Sequence, residues 1–350
     1  MIRRQALVVG ASGLVGARLV HYLRESSDWD VLTLSRRPTR VESDVRHVAI
    51  DLKDAAACAA NAHQLASVTH VLYLSRAVED GYQIHITPNV QMLVHLMDAL
   101  EPVATRLEHV HLLHGCKWYG VHLGPYRTPA RESDPQPDIP LYYYPQHAAL
   151  RARQVGKRWT YSTLRPHFIH GLGIGSPSNL VGVVATYAAI MKELGLPLRF
   201  PGTQEAYNAI LMHTDLELLC RAMVWTSTLP QCANQDFNLA NGDFFRWREM
   251  WPLVAQEFDM EMQGPHPFSL REFMADKEPV WQRMVHKHGL VPQTFSDAAD
   301  WAFGDSIFRL AWDQALSIVK LHQHGFTEMR DSQDVMLGLL REYRTQRIIP

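Results

Sequence analysis

The stretch Ala6-Leu-Val-Val-Gly-Ala-Ser-Gly-Leu-Val-Gly-Ala-Arg-Leu-Val20 decides the fold. Its apolar run from Leu7 to Val9 predicts a buried parallel strand. Three regularly spaced glycines, Gly10, Gly13 and Gly16, follow, and the apolar residues beyond them recur at helical spacing. A strand that runs through a glycine-rich turn into a helix presents unpaired backbone N–H groups and the positive end of the helix dipole, which suit a pyrophosphate. A dinucleotide-binding site is therefore the favoured interpretation.

The bulk composition is that of an ordinary soluble globular protein. The chain has 350 residues, of which 47% are hydrophobic and 20% charged, with a formal net charge of −2. This length allows one large domain or two smaller ones, and the charge balance argues against a nucleic-acid or anionic-membrane partner. The four cysteines lack a metal-type spacing and indicate thiols in a reducing compartment. The apolar stretch 180–191 is too short to cross a bilayer, so the predicted location is the cytoplasm.

Strand-like and helix-like segments alternate over the first half of the chain. Further strands are predicted at residues 30–35, 45–50, 68–75, 109–114, 161–164 and 237–240, and the clearest helices at 87–100, 141–155, 180–194 and 247–258. This order predicts an α/β fold, a Rossmann-type doubly wound parallel sheet with a smaller, mostly helical C-terminal substrate lobe. The predicted division is residues 1–171 with about 205–240 for the nucleotide domain, and about 172–204 with 241–350 for the lobe.

Ligands of such sheets bind at the carboxyl ends of the strands. The residues that this rule places together are Gly10, Ser35, Asp51, Ser75 and Gly115. At the end of the second strand, Ser35-Arg36-Arg37 stands where an acidic residue usually meets a free ribose 2′-hydroxyl. Arginine can bind a 2′-phosphate in a bidentate way. The sequence therefore favours NADP(H) over NAD(H), with a solvated basic turn as the alternative.

The usual catalytic Tyr-x-x-x-Lys motif of short-chain dehydrogenases is missing, since no tyrosine is followed four residues later by lysine. Two features remain as candidates. Lys117 lies just past the fifth strand, and Tyr142, Tyr143 and Tyr144 open a predicted helix. A lysine ammonium near a phenol is expected to lower the phenol pKa from about 10 toward the working pH, so that the phenol can donate to an oxyanion. Taken alone, the tyrosines fit aromatic packing and the lysine a surface charge.

Many separate motifs, in order along almost the whole chain, carry a family resemblance. They are the glycine turn Gly10–Gly16, Ser35-Arg36-Arg37-Pro38, Asp51-Leu52, Val68-Thr69-His70-Val71, Gly115-x-Lys117-x-Tyr119, the tyrosine pair after the loop, Arg165-Pro166, residues 198–202, 237–242, 277–281, 301–305 and 324–326. The chain resembles the progesterone 5-beta-reductase/iridoid synthase-like (PRISE) family. Those proteins are atypical extended short-chain dehydrogenase/reductases that reduce activated C=C bonds and separate the catalytic lysine and tyrosine in sequence.

The resemblance implies roles for named residues. It makes Lys117 the catalytic lysine and Tyr143 the catalytic tyrosine, with Tyr144 as the alternative register. The implied cofactor residues are Gly10, Ser12, Gly13, Leu14, Val15 and Gly16 at the pyrophosphate, Arg36 and Arg37 at the 2′-phosphate, Asp51 and Leu52 at the adenine, Leu74, Ser75 and Gly115 at the ribose, and Pro166 and Ile169 behind the nicotinamide. Ser35, Lys117 and Tyr143 complete the implied cofactor set.

The resemblance also implies an activity, an NADPH-dependent reduction of a small apolar enone or enal, in a chain that could form a homodimer. The residues that depart from the family pattern are Arg76, Trp118, Leu141, His167 and Phe168. Alternatives are a carbonyl reductase or sugar-nucleotide epimerase or dehydratase on the same fold, and a non-catalytic NADP(H)-sensing regulator. The histidines His109, His111 and His114 lack a completing set of ligands, so no metal is predicted.

Overall fold

The strands of the described residues form one large sheet and three small ones. A computed structural model of the protein describes residues 3–37, 45–77 and 85–350, so Pro38 of the family motif lies outside the described residues. Within those ranges the strands are β1 (Arg4–Val9), β2 (Trp29–Ser35), β3 (Arg46–Ala49), β4 (His70–Tyr73), β5 (His109–Leu113), β6 (Thr160–Pro166), β7 (Phe168–His170), β8 (Leu198–Phe200), β9 (Ile210–Leu211), β10 (His213–Asp215), β11 (Gln235–Leu239), β12 (Phe245–Arg246) and β13 (Met262–Pro265).

The large sheet has the order β11-β6-β5-β4-β1-β2-β3, and every neighbouring pair runs parallel. All seven carboxyl ends therefore meet at one edge. The order reverses at β1, which lies between β4 and β2. The predicted doubly wound parallel sheet is confirmed, and the crevice beside β1 is where such sheets bind their ligands.

Helices cover the sheet and make up most of the regular structure in the second half of the chain. They are α1 (Leu14–Arg24), α2 (Ala55–Ala60), α3 (Ile86–Leu100), α4 (Tyr143–Gln154), α5 (Leu180–Glu193), α6 (Gln204–Asn208), α7 (Leu216–Thr228), α8 (Trp247–Glu257), α9 (Leu270–Met274), α10 (Glu278–His288), α11 (Phe295–Ala298), α12 (Trp301–Phe308), α13 (Val319–Gln323) and α14 (Ser332–Thr345). Among the described residues, no helix is both long and apolar enough to pass through a membrane.

Some strands begin or end at other residues than predicted. Their ends depend on which residues pair with a neighbouring strand, and the periodicity of a single segment does not reveal this. Strand β1 begins at Arg4 rather than Leu7 because it pairs with β2 from Trp29 onward. Strand β6 continues to Pro166 because β11 pairs with it as far as Leu239. Strand β4 is shorter than predicted and ends at Tyr73.

The protein has two kinds of hydrophobic core, one aliphatic and one aromatic. The sheet packs aliphatic residues on both faces, and α5 is buried at every residue from Leu180 to Met191. Around α5 lies a large aromatic core in which Trp247, Trp251 and Phe308 pack together. The exact division of the chain into nucleotide domain and lobe stays a prediction.

Candidate active site

The glycine turn between β1 and α1 is shaped by close main-chain approach. A Cβ added to Gly16 would lie 2.2 Å from the Gly10 carbonyl oxygen, so no side chain fits there. Gly10 has a φ of +92°, and a Cβ on it would lie 3.0 Å from the backbone nitrogen of Ser75 on the neighbouring strand end. Glycine tolerates both conditions because it has no Cβ. The structure thus packs the ends of β1 and β4 against each other, as expected for a ligand cradle.

The start of α1 is open toward that edge. Gly13 is its N-terminal cap and makes no side-chain cap hydrogen bond, and both Ser12 and Gly13 are exposed. Leu14 and Val15 are partly buried at the beginning of the helix. The first backbone N–H groups of α1 therefore have no side-chain cap, which fits the binding of a pyrophosphate.

The end of β2 carries two exposed arginines. Arg36 and Arg37 follow the partly buried Ser35, whose hydroxyl donates to the Arg37 carbonyl oxygen. In the described part of the chain neither guanidinium forms an ion pair with a carboxylate. Both arginines are thus available to a phosphate group at this end of the sheet.

The residues that follow β3 and β4 lie at the carboxyl edge of the sheet, where ligands of parallel sheets bind. Asp51 and Leu52 follow β3; the Asp51 carboxylate accepts from the Lys53 backbone at 3.0 Å, and Leu52 is buried. Leu74 and Ser75 follow β4, and the Leu74 nitrogen donates to the Val9 carbonyl at 2.9 Å. The structure brings these strand ends to the edge occupied by the glycine turn.

Tyr143 and Lys117 approach the same edge from two separate segments. Tyr143 is the first residue of α4, and a Cβ added to Gly115 would lie 3.3 Å from its hydroxyl oxygen. Lys117 lies in a 3-10 turn, Cys116–Tyr119, directly after Gly115. Tyr143 is partly buried, whereas Lys117 is exposed. Among the described residues no hydrogen bond joins the two side chains; Lys117 follows the carboxyl end of β5, and α4 brings the Tyr143 hydroxyl to the same place beside Gly115.

The prediction that the lysine lowers the phenol pKa is wrong for this structure. Burial raises the pKa of Tyr143 well above 10, the Tyr142 phenol raises it further, and Arg76 opposes the rise. Desolvation also lowers the pKa of Lys117; the Cys116 thiol opposes this change and Arg76 adds to it. Tyr143 is therefore a protonated hydrogen-bond donor at neutral pH.

The three tyrosines have different surroundings, which distinguishes their roles. The Tyr144 hydroxyl donates to the Trp118 carbonyl at 2.7 Å and is thereby used within the protein. Tyr142 is buried and packs edge-to-face on Tyr143 at 4.7 Å between ring centroids. Only the Tyr143 hydroxyl lies beside Gly115. Tyr143 and Tyr144 thus differ in where their hydroxyls lie, and the assignment of Tyr143 as the catalytic tyrosine stays a prediction.

A buried polar scaffold that sequence reasoning missed holds Tyr143 in place. His114 stacks on the Tyr143 ring at 4.6 Å between centroids, and its Nε2 lies 3.2 Å from Oε1 of Gln146. The Gln146 amide donates to the Asn89 carbonyl at 2.9 Å, which ties α4 to α3. Only the position of His114 at a strand end could have indicated it, because its partners lie far away in sequence.

The aromatic residue after the lysine is part of the packing. Trp118 is 3% exposed and stacks on the Arg165 guanidinium, whose carbon lies 3.6 Å from the ring centroid. Arg165 also pairs with Asp236 at 3.1 Å and donates to the Tyr119 hydroxyl at 3.1 Å. Trp118 therefore anchors the turn that carries Lys117 and does not line an open pocket.

The remaining candidates lie past β6. Pro166 is buried at the end of that strand, and its carbonyl oxygen lies 3.8 Å from a Cβ added to Gly115. Ile169 is partly buried in β7, and Phe168 opens the same strand. His167 is buried, which lowers its pKa to about 3, and Leu141 is partly buried ahead of α4. Ile169 packs against the apolar cluster that contains Leu164 and Leu216.

The strand histidines are structural. His109 and His111 share the Ser162 hydroxyl, at 2.8 and 2.9 Å, so alternation did place them on one face of β5. Within residues 3–37, 45–77 and 85–350, no group of three His, Cys, Asp or Glu side chains is arranged to hold a metal ion.

Comparison with known proteins agrees with this geometry. A family model described as a PRISE-like Rossmann-fold domain matches residues 6–350. The chain is 30% identical to (S)-8-oxocitronellyl enol synthase ISY2 of Nepeta cataria, over 99% of this chain and 91% of that protein. It is also 30% identical to a 3-oxo-Delta(4,5)-steroid 5-beta-reductase of Arabidopsis thaliana, over 99% and 93%. A UDP-glucose 4-epimerase of Thermus thermophilus, solved with NAD, shares the fold with a TM-score of 0.67 at 16% identity, over 97% and 99%.

Proposed function

The chain belongs to the PRISE-like Rossmann-fold family, and from that premise we propose that it is an NADPH-dependent reductase of activated C=C bonds. As a member it is an oxidoreductase of the short-chain dehydrogenase/reductase superfamily. The proposed substrates are α,β-unsaturated carbonyl compounds, and the proposed reaction is 1,4-reduction. The observation that carries the proposal is the Tyr143 hydroxyl beside Gly115, at the strand edge that also holds the glycine turn and Lys117.

The site fits a dinucleotide. The absence of room for a side chain at Gly16 and the uncapped start of α1 create a main-chain cradle. Gly10, Ser12, Gly13, Leu14, Val15 and Gly16 would hold the pyrophosphate. Arg36 and Arg37 favour NADPH, because two exposed guanidiniums without carboxylate partners among the described residues suit a 2′-phosphate better than a hydroxyl.

When bound, NADPH supplies the hydride that is added to the substrate β-carbon. Tyr143 donates its O–H to the carbonyl oxygen, where negative charge develops as the C=C π electrons shift toward the carbonyl. Because burial keeps its pKa high, Tyr143 holds the enolate oxygen and keeps its own proton. Water then protonates the α-carbon, so that the product gains one hydride and one proton. Lys117, with its ammonium at the same edge, positions the ribose and adds positive charge beside the enolate.

The setting of the enzyme is part of the proposal. All four cysteines are buried free thiols, which agrees with a reducing, cytoplasmic compartment. The aromatic core around α5 would support the substrate side. A homodimer and a small-molecule substrate are the expected partners.

The test is NADPH consumption, followed by absorbance, with a panel of enones, enals, aldehydes and nucleotide sugars, and with NADH beside NADPH. Turnover of enones with NADPH preferred is the expected result. Turnover of only aldehydes or nucleotide sugars would contradict C=C reduction. Tight NADPH binding without turnover of any compound would favour the NADP(H)-sensing alternative.

A further inference from the structure

Arg76 is a cation at the reacting edge that the mechanism above does not use. It follows β4 by three positions, and β4 pairs with β5, whose end carries Gly115 and Lys117. Its side chain is exposed, and no carboxylate of the described residues forms an ion pair with it. An arginine without a partner at a ligand-binding edge is suited to an anionic ligand.

The backbone beside Arg76 is fixed rather than loose. The Ala77 nitrogen donates to Oδ1 of Asn89 at 2.7 Å, and Nδ2 of Asn89 donates to the Ala77 carbonyl at 3.1 Å. Asn89 is fully buried in α3 and accepts at its carbonyl from Gln146 of α4. The same Gln146 contacts His114, which stacks on Tyr143. The segment that carries Arg76 and the helix that carries Tyr143 therefore belong to one hydrogen-bonded unit.

The charge of Arg76 reaches the reacting groups. It lowers the pKa of Lys117, and it opposes the burial that raises the pKa values of Tyr142 and Tyr143. No carboxylate of the described residues is among the groups that shift these three. Among the described residues, Arg76 and Lys117 are thus two cations at this edge without a carboxylate that acts on Lys117, Tyr142 or Tyr143, an arrangement that would stabilise a bound anion.

Arg76 is distinct from the arginines assigned to the 2′-phosphate. Arg36 and Arg37 follow β2, on the far side of β1 from β4. Arg76 instead follows β4, which pairs with β5, and its charge acts on Lys117 in the turn after β5 and on Tyr143 at the start of α4. Because β4 lies between β5 and β1 in the sheet, Arg76 is on the side of β1 that carries Gly115 and Lys117, and not on the side that carries Arg36 and Arg37.

We propose that Arg76 binds a carboxylate attached to the carbonyl carbon of the substrate, so that the preferred class is the β,γ-unsaturated α-keto acids. This inference rests on the proposed enone reduction and narrows its substrate. Tyr143 holds the ketone oxygen, and Arg76 holds the adjacent carboxylate in a charge-assisted, bidentate contact. The two contacts would orient the C=C bond, and they give the exposed side chain of Arg76 a function at this edge.

A matched pair of substrates tests the proposal. Benzylidenepyruvate and benzylideneacetone have the same enone and differ in the carboxylate that replaces a methyl group. The variants are Arg76→Gln, Arg76→Lys and, as the control, Arg106→Gln, an exposed arginine ahead of β5 at the opposite edge of the sheet. The measurements are kcat/KM for both substrates, NADPH affinity by fluorescence, and benzylidenepyruvate affinity with NADP⁺ by calorimetry.

The wild type is expected to prefer benzylidenepyruvate at least about 10-fold, and Arg76→Gln to lose about 10- to 100-fold with that substrate alone. Arg76→Lys should retain part of the preference, and Arg106→Gln all of it. NADPH affinity should be unchanged. Equal loss for both substrates with weaker NADPH binding would assign Arg76 to the cofactor and overturn the inference.

Failure of the inference and failure of the proposed function can be told apart. Turnover of benzylideneacetone with no preference for the acid would leave the enone reductase standing and overturn the role of Arg76. Calorimetric binding of benzylidenepyruvate that Arg76→Gln weakens would support the role of Arg76 even if neither compound is reduced, a result that would count against the reductase. Equal binding to wild type and Arg76→Gln would overturn the inference in either case.

Discussion

Two regions at the same edge of the large sheet are built by different means. One is the glycine turn, Gly10–Gly16, after β1; the other, called the corner here, lies after β5 and consists of His114, Gly115, Tyr143 and Gln146. In the turn, main-chain atoms define the shape, since a Cβ on Gly16 would lie 2.2 Å from the Gly10 oxygen. In the corner, the His114 ring stacks on Tyr143, and Gln146 of α4 links His114 to the Asn89 carbonyl oxygen of α3. The turn is a local feature of sequence, whereas the corner is assembled from distant segments. A single added methyl group should therefore disrupt the structure of the turn. The corner should instead lose its function when one particular functional group is removed.

The largest effect is expected from Gly16→Ala. Its methyl group would overlap the Gly10 carbonyl and the Ala11 backbone, 2.7 Å away, so the turn must shift. We expect a loss of about 1–3 kcal/mol in the free energy of unfolding and no measurable NADPH binding. Thermal unfolding and NADPH fluorescence measure the two effects.

Gly13→Ala is the matched control for the turn. A Cβ at Gly13 would lie 3.6 Å from the Gly10 oxygen, an ordinary contact. Its free energy of unfolding should stay close to that of the wild type. Equal destabilisation by the two alanines would show that close packing at Gly16 does not define the turn.

Tyr143→Phe tests the corner. Removing the hydroxyl leaves the ring stack on His114, so folding and NADPH affinity should be retained. The loss of one oxyanion donor is expected to lower kcat about 10²- to 10³-fold. Tyr144→Phe is the control: it removes the bond to the Trp118 carbonyl, costs about 1 kcal/mol of stability and leaves kcat nearly unchanged. A larger loss of kcat for Tyr144→Phe would mean that the register of the tyrosines is wrong.

The double variant Arg36→Ala/Arg37→Ala tests whether the two arginines after β2 select NADPH over NADH. Two guanidiniums that bind a 2′-phosphate should contribute about 10- to 100-fold to NADPH affinity. NADH has no such phosphate, so its affinity should not change. Fluorescence titrations with both cofactors measure the ratio, and Arg106→Gln controls for loss of surface charge. An equal fall for NADH and NADPH would remove the support for NADP(H).

Mild acid is expected to loosen the corner and its strands. Burial lowers the pKa of His111 and of His167 to about 3, and that of His114 well below its usual value. Between pH about 3 and 6.5 the unfolded chain binds protons that the folded chain does not, so stability falls as pH falls below 6.5. Each such histidine should cost about 1.4 kcal/mol per pH unit. Denaturant unfolding at neutral and mildly acidic pH measures this slope, and a flat profile would contradict neutral, buried imidazoles.

The sequence predicts the sheet well because its signals are local. The apolar run at Leu7–Val9 and the glycine spacing are complete within one strand–turn–helix, and the structure confirms both elements. Strand ends are predicted less well, since pairing partners determine them. The residue assignments at the site stay predictions, although the structure brings Gly115 and Tyr143 together as they require.

The surroundings of the tyrosine could not be predicted. Whether a phenol is acidic or not depends on burial by groups far away in sequence, and here burial raises the pKa of Tyr143 where proximity of a lysine suggested a fall. No sequence motif identifies Asn89, Gln146 or His114. Their hydrogen-bond partners are determined by the folded arrangement and not by spacing along the chain.

The chain of hydrogen bonds from Ala77 through Asn89 and Gln146 has a consequence for how such an enzyme changes its substrate over evolution. These hydrogen bonds, called the frame here, fix the backbone from which the side chains of Arg76 and Tyr143 project. None of them involves the side chain of residue 76. A substitution at that position should therefore leave the hydrogen bonds that hold Tyr143 in place intact. Mutations in the frame itself would disturb both at once, so new specificities are most accessible at the exposed position, one residue before the point where the frame holds the backbone.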